Sequence, residues 1–167
     1  IKNNFASSLL KYEFKIQISH SRPYDKGHYS KPNNLREKIM SEKKKILIVD
    51  DEPDVLTYLT ALFEDHGYEA ITAQDGITGF DLAKSEKPDL ITLDITMPDQ
   101  SGVRTYRYYK GNDELKGIPV IIVTAIGDSM KSFLKKLAGF PEPEGFMNKP
   151  IDEDQLIGMV ADLLNKS

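Results

Sequence analysis

Five polar residues stand out in this 167-residue chain because each closes or closely follows a short apolar run. Asp50 and Asp51 follow Ile46-Leu47-Ile48-Val49, and Asp94 follows Leu90-Ile91-Thr92-Leu93. Thr124 follows Val120-Ile121-Ile122-Val123, and Lys149 comes just after Gly145-Phe146-Met147. Three carboxylates within a few ångströms repel, and one takes a proton near neutral pH unless a cation intervenes. All-oxygen ligands favour Mg²⁺, which uses one or two carboxylates and keeps several waters. Cysteine is absent and the histidines (His20, His28, His66) are scattered, which disfavours zinc or copper and removes any thiol nucleophile. A carboxylate beside Mg²⁺ can attack a phosphoryl group and become an aspartyl phosphate. The cation and an ammonium then neutralise charge on the transferring oxygens while a hydroxyl donates to another. Singly, each residue has a plainer reading. Asp50-Asp51-Glu52 before Pro53 suits a helix N-terminus, Asp94 a turn, Thr124 a cap and Lys149 a solvated charge. Their appearance in order, strand end by strand end, is what packing does not explain.

Such a set works only if a scaffold brings strand ends together. From Lys43 onward the pattern supplies one. The apolar runs are continuous rather than alternating, as in strands buried on both faces. Between them, Val55, Leu59, Leu62 and Phe63 recur at helical spacing after Pro53, and Gly67 can end that helix. A strand over Tyr68 to Ala73, the turn Asp75-Gly76 and a helix from about Ile77 to Ser85 follow, with Pro88 as a break. A loop with Pro98 and Gly102 leads to a helix through Lys110, and Pro119 opens the fourth strand. A helix from about Asp128 to Leu137 carries Met130, Phe133, Leu134 and Leu137 on one face. After the short strand Gly145 to Met147, Asp152 caps a last helix striped by Leu156, Met159, Val160, Leu163 and Leu164. Five strands alternating with five helices predict an α/β fold with a doubly wound parallel sheet and right-handed crossovers. Ligands of such sheets bind outside the carboxyl ends of the strands.

Charge divides the chain. Residues 1–39 carry 8 Lys/Arg against 3 Asp/Glu, whereas residues 40–167 carry 14 against 23. The acidic body argues against nucleic acid as a partner, because phosphate contacts need clustered positive charge. No apolar run reaches the ~18 residues of a membrane span, and no secretory h-region is visible, so a soluble cytoplasmic protein without a membrane partner is expected. Tyr12, Phe14, Ile16 and Ile18 alternate like a short strand, but His20 to Asn34 is polar and broken by Pro23, Gly27 and Pro32. Residues 1–39 therefore read as an irregular basic extension and residues 40–167 as the domain. The chain opens on Ile1, and Met40 heads the well-patterned segment, so Met40 is a candidate start and the extension need not be native.

Residues 43–167 resemble the receiver domain of bacterial two-component response regulators. The resemblance is carried by Ile46-Leu47-Ile48-Val49-Asp50-Asp51-Glu52-Pro53, by Pro88 to Asp94 with Met97-Pro98 and Gly102, by Pro119 to Ala125, and by Lys149-Pro150. It implies a flavodoxin-like sheet in the order 2-1-3-4-5 and, for Asp94, the role of phosphoacceptor from a histidine kinase or phosphotransfer protein. It also implies direct Mg²⁺ ligation by Asp51, Asp94 and the backbone carbonyl of Thr96, with Asp50 acting mainly through water. Lys149 would pair with phosphoryl oxygens and Thr124 would hydrogen-bond to them. Phe146, three residues before Lys149, takes the switch-aromatic position. The Lys149–Pro150 peptide is expected cis. Phosphorylation would then remodel a partner-binding face built from the fourth helix, fifth strand and fifth helix. Thr96 and Ile126, each two residues beyond a site residue, flank the path of the attacking water.

Two departures from the family pattern stand out. The connection before the fifth strand is longer than usual and holds Phe140-Pro141-Glu142-Pro143-Glu144. The third helix is rich in tyrosine, Arg104-Thr105-Tyr106-Arg107-Tyr108-Tyr109, which suggests some rings in the core and others on the surface or in a partner patch. With only Asn165-Lys166-Ser167 after the last helix, a receiver with no output domain is expected, catalysing only its own phosphorylation and dephosphorylation. The rival readings are a fragment of a larger regulator or hybrid kinase, a Mg²⁺-dependent phosphohydrolase with an aspartyl nucleophile, and a module that binds without phosphorylation. Against the phosphohydrolase, Glu52 stands two residues after Asp50 where that class places a second aspartate, and the apparent nucleophile lies on the third strand.

Overall fold

The computed structural model describes residues 43–97, 102–125, 139 and 141–166. The strand read at Tyr12 to Ile18, the helix read at Asp128 to Leu137, and Ile126 lie outside the described residues. The described chain runs β1 (Lys45–Val49), α1 (Pro53–Asp65), β2 (Glu69–Ala73), α2 (Gly76–Glu86), β3 (Leu90–Leu93), α3 (Gly102–Gly111), β4 (Val120–Thr124), β5 (Gly145–Asn148) and α4 (Glu153–Leu164). All four strand pairings are parallel, and the sheet order is β2-β1-β3-β4-β5, as the resemblance implies.

Alternation along the strands divides the core into two layers. Leu47, Val49, Ile91, Leu93, Val120 and Ile122 face α2 and α3, where Ala83, Tyr106 and Tyr109 meet them. Ile46, Ile48, Leu90, Ile121 and Val123 face α1 and α4, where Leu59, Phe63, Leu156 and Val160 close the layer. Each fully buried apolar side chain contributes roughly 1.5–3 kcal/mol, which offsets the cost of charges held at the sheet's edge. The helix ends follow the punctuation in the sequence. Pro53 occupies the first turn of α1, and Gly67 turns the chain with a φ of 85° after α1 has ended. Asp75 caps α2 through the amides of Ile77 and Thr78, and Asp152 caps α4 through the amide of Gln155.

The tyrosine-rich helix and the long connection turn out to be one construction. Tyr106 and Tyr109 are fully buried, whereas Tyr108 is exposed. The buried Tyr106 hydroxyl donates to the Pro141 carbonyl at 2.7 Å. One turn further along, the Lys110 ammonium, its side chain wholly buried, meets the Glu144 carboxylate at 2.8 and 3.0 Å and the Ile118 carbonyl at 2.9 Å. Glu144 also accepts from the Val120 amide at 2.7 Å, which joins the starts of β4 and β5 to the end of α3. Burial, followed by the negative charges of Glu144 and Glu142, pushes the Tyr106 hydroxyl well above its ordinary pKa and keeps it a neutral donor.

Candidate functional site

β1 and β3 are neighbours in register, Val49 opposite Leu93, so the residues that follow them emerge side by side. The Asp94 amide donates to the Val49 carbonyl at 2.9 Å, and the Asp50 amide to the Ala73 carbonyl at 3.1 Å, which carries the pairing one residue past the strand ends. Asp50 and Asp94 are each 1% exposed, while Asp51 faces solvent. The chain can leave β3 tightly because Gly102 has no side chain. A Cβ there would lie 2.3 Å from the Asp94 carbonyl oxygen and 2.2 Å from the Ile95 Cα.

The structure brings together the carboxylates singled out in the sequence. One oxygen from each of Asp50, Asp51 and Asp94 lies within 4.8 Å of the others. Lys149, delivered by the end of β5, reaches in among them. Its Nζ lies 2.9 Å from Asp50 Oδ2, 2.8 Å from Asp94 Oδ2 and 2.8 Å from Glu52 Oε1. Asp94 Oδ1 accepts from both the amide and the hydroxyl of Thr96, at 2.7 and 2.6 Å. Asp50 Oδ1 accepts from the Glu52 amide at 3.0 Å. Thr124 ends β4 fully buried, with its carbonyl accepting from the Lys149 amide at 2.9 Å. Phe146 pairs with Ile122 and packs, partly buried, on the α2–α3 side of the core. The Lys149–Pro150 peptide is cis.

Electrostatics sharpen the picture. Burial raises the Asp50 carboxyl above its ordinary range, opposed by hydrogen bonds from Lys149 and the Glu52 amide and reinforced by the nearby Asp94 charge. Burial works against a charged Lys149, but hydrogen bonds to Asp94, Glu52 and Asp50 outweigh it and hold the ammonium protonated. The donor set is all oxygen, carries more negative charge than Lys149 balances, and has two members shielded from water. Those are the properties a hard divalent cation requires, so the residues fit Mg²⁺.

Two contacts were not legible beforehand. Glu52 reads in sequence as a helix N-terminal acid, yet as N-cap of α1 it makes no side-chain capping bond and turns to Lys149 instead. Its position directly after Asp51 at a strand end was the available signal. Thr96, read from the sequence as a carbonyl ligand and a neighbour of the water path, in addition clamps Asp94 through its amide and hydroxyl.

An open parallel sheet in the order 2-1-3-4-5, with carboxylates converging at its carboxyl edge and a lysine among them, defines a flavodoxin-like module whose donor set fits a divalent cation. Residues 46–161 match the family model of the response regulator receiver domain, and the chain belongs to that family. It is 37% identical over 120 residues to protein PilH of Pseudomonas aeruginosa, covering 72% of this chain and 97% of PilH. It is 34% identical over 121 residues to the polar-differentiation response regulator DivK of Brucella anthropi, covering 72% of this chain and 96% of DivK. Among solved structures, the receiver domain of a signal transduction histidine kinase from Syntrophus aciditrophicus superposes with a TM-score of 0.66 at 30% identity, covering 74% of this chain and 91% of that one. A CheY-like receiver domain protein from Methanospirillum hungatei gives 0.67 at 25% identity, covering 75% and 96%. These likenesses favour a two-component receiver over a phosphohydrolase.

Proposed function

We propose that Asp94 is the phosphoacceptor of this receiver and takes its phosphoryl group from a phosphohistidine on a histidine kinase or phosphotransfer protein. In the transfer, an Asp94 carboxylate oxygen forms a bond to phosphorus as the phosphorus–nitrogen bond breaks, and the imidazole leaves with the electron pair. Hydrolysis by water later restores the carboxylate. The observation that carries this reading is the shared ammonium: Lys149 touches Asp50 and Asp94 at 2.9 and 2.8 Å in a chain of the receiver family. Thr96 donates to one Asp94 oxygen and Lys149 to the other, which fixes the carboxylate's orientation, so little remains to be found when the donor arrives. Asp51, Asp94 and the Thr96 carbonyl would hold Mg²⁺ directly and Asp50 mainly through water, and the cation when bound supplies charge neutralisation to the phosphoryl oxygens. Lys149 contributes a second positive charge there, and the Thr124 hydroxyl a hydrogen bond.

The conformational output follows as a population shift. Thr124 drawn toward the phosphoryl group frees space for Phe146, which lies two strand positions back on the neighbouring β5. The partner-binding face would then change between two packings, with an unidentified downstream protein as reader. The protein acts in the cytoplasm and turns over no substrate beyond its own phosphorylation cycle. Among the described residues no helix is long and apolar enough to cross a membrane. The test is intact mass after incubation with acetyl phosphate and Mg²⁺. Wild type should gain one phosphoryl group and Asp94→Asn none; an unmodified wild type, with donor still present, would instead favour a receiver that signals by binding alone.

A further inference from the structure

Lys149 has three ammonium hydrogens and, among the described residues, three carboxylate partners, and the three are not equivalent. The Asp50 and Asp94 side chains are 2% and 1% exposed, whereas the Glu52 side chain is 60% exposed. The oxygens of Asp50 and Asp94 are also divided between tasks. Asp94 Oδ1 takes two hydrogen bonds from Thr96, and Asp50 Oδ1 takes one from the Glu52 amide. The remaining oxygen of each, Oδ2, is the one bonded to Lys149. Uptake of a divalent cation by Asp94 directly and by Asp50 through water, on which the proposed function rests, therefore calls on oxygens that the ammonium already holds.

An ammonium withdrawn from both carboxylates while only 14% exposed would be a poorly solvated, unpaired charge, and that state is costly. Glu52 changes the balance. Its side chain makes no helix cap, reaches the ammonium from the solvent side at 2.8 Å, and has room to follow as Lys149 moves outward. We propose that Glu52 is the alternate counter-ion of Lys149: a positioning residue that keeps the lysine paired when it releases Asp50 and Asp94, and so eases cation uptake. The same pairing leaves the ammonium at the mouth of the site, within reach of an arriving phosphoryl oxygen.

The test is a double-mutant cycle read as Mg²⁺ affinity by calorimetry, with no phosphorylation step, on the full chain carrying Glu52→Gln, Lys149→Met or both. Acting through Lys149, Glu52→Gln should weaken binding about five- to tenfold in the parent, and by no more than about twofold with Lys149→Met, where only a screened surface charge is lost. Glu52→Asp keeps the charge but shortens the reach, so it should resemble Glu52→Gln rather than wild type. Equal losses in both lysine backgrounds, or a wild-type affinity for Glu52→Asp, would overturn the proposal and leave the metal reading intact. Failure of Mg²⁺ to bind the wild type at all would overturn both.

Discussion

Replacing Glu144 with alanine strips its partner from a lysine whose side chain is wholly buried. Lys110 would keep the Ile118 carbonyl at 2.9 Å and a longer contact to the Lys116 carbonyl at 3.4 Å, but no negative charge. Breaking a buried pair by removing one member costs about 3–5 kcal/mol. Two carbonyls remain and water can enter where the one-third-exposed Glu144 side chain stood, which places the expected loss near the low end, about 3 kcal/mol. That figure includes the Val120 amide, which loses its 2.7 Å acceptor. The reverse change should be milder. Lys110→Met retains most of the buried stem, and Glu144 keeps the Val120 amide and its access to water, for a loss of about 1 kcal/mol. Urea unfolding followed by far-ultraviolet circular dichroism would show the difference. With a slope of roughly 2 kcal/mol per molar, the midpoints should fall by about 1.5 M for Glu144→Ala and about 0.5 M for Lys110→Met. Phosphorylation should survive both changes, because Glu144 lies just before β5 and Lys149 just after it, roughly 17 Å apart at the rise of a strand. A Glu144→Ala loss below 1 kcal/mol, or a Lys110→Met loss equal to it, would refute the assignment of the buried lysine as the dependent partner.

Asp50→Asn should raise the thermal midpoint at neutral pH while weakening Mg²⁺ binding, because a buried carboxylate beside Asp94 costs stability that function requires; a lowered midpoint in calorimetry would contradict this. Gly79→Ala should cost about 1–3 kcal/mol, since a Cβ there lies 2.7 Å from the Tyr109 hydroxyl and 2.9 Å from Val49 Cγ2, and an unchanged unfolding midpoint would show that the α2–α3 contact can open. Asp75→Ala should cost about 1 kcal/mol of stability at neutral pH through the lost cap. The Thr78 amide and hydroxyl and the Ile77 amide hold the Asp75 carboxyl below its ordinary pKa. Its stabilisation is therefore complete above the unfolded value of about 3.9 and fades as pH falls through the lower folded value. The wild-type and variant stability curves should converge there, and a difference that persisted at that acidity would contradict the charged cap.

Much of the fold was legible because its signals are local. Continuous apolar runs at Ile46–Val49 and Val120–Val123 are short, rich in β-branched residues and bounded by polar residues or Pro119, which marks them as strands buried on both faces, and Asp75, Asp152 and Pro53 mark helix starts by chemistry that acts within one turn. The gathering of Asp50, Asp51, Asp94 and Lys149 was legible because a parallel sheet carries strand ends to one edge. The Thr96 clamp on Asp94 is local but competes with a plainer role for Thr96, and the other contacts that escaped have partners distant in sequence. Glu52 is acceptable at any helix start, so nothing local directs it to Lys149, 97 residues away. Lys110 would ordinarily be read as a solvated lysine at a helix end. Only the packing of the 141–144 segment against α3 buries it and makes Glu144 its partner.

One carboxylate, that of Asp94, is proposed to carry the phosphoryl group. Borohydride reduces an aspartyl phosphate to homoserine, so treating the acetyl phosphate-labelled protein and mapping its peptides by mass reads the acceptor position directly. Homoserine at position 94 alone, dependent on Mg²⁺, is the predicted result. Homoserine at position 50 or 51 instead, or a stable phosphoryl adduct that borohydride leaves untouched, would contradict it.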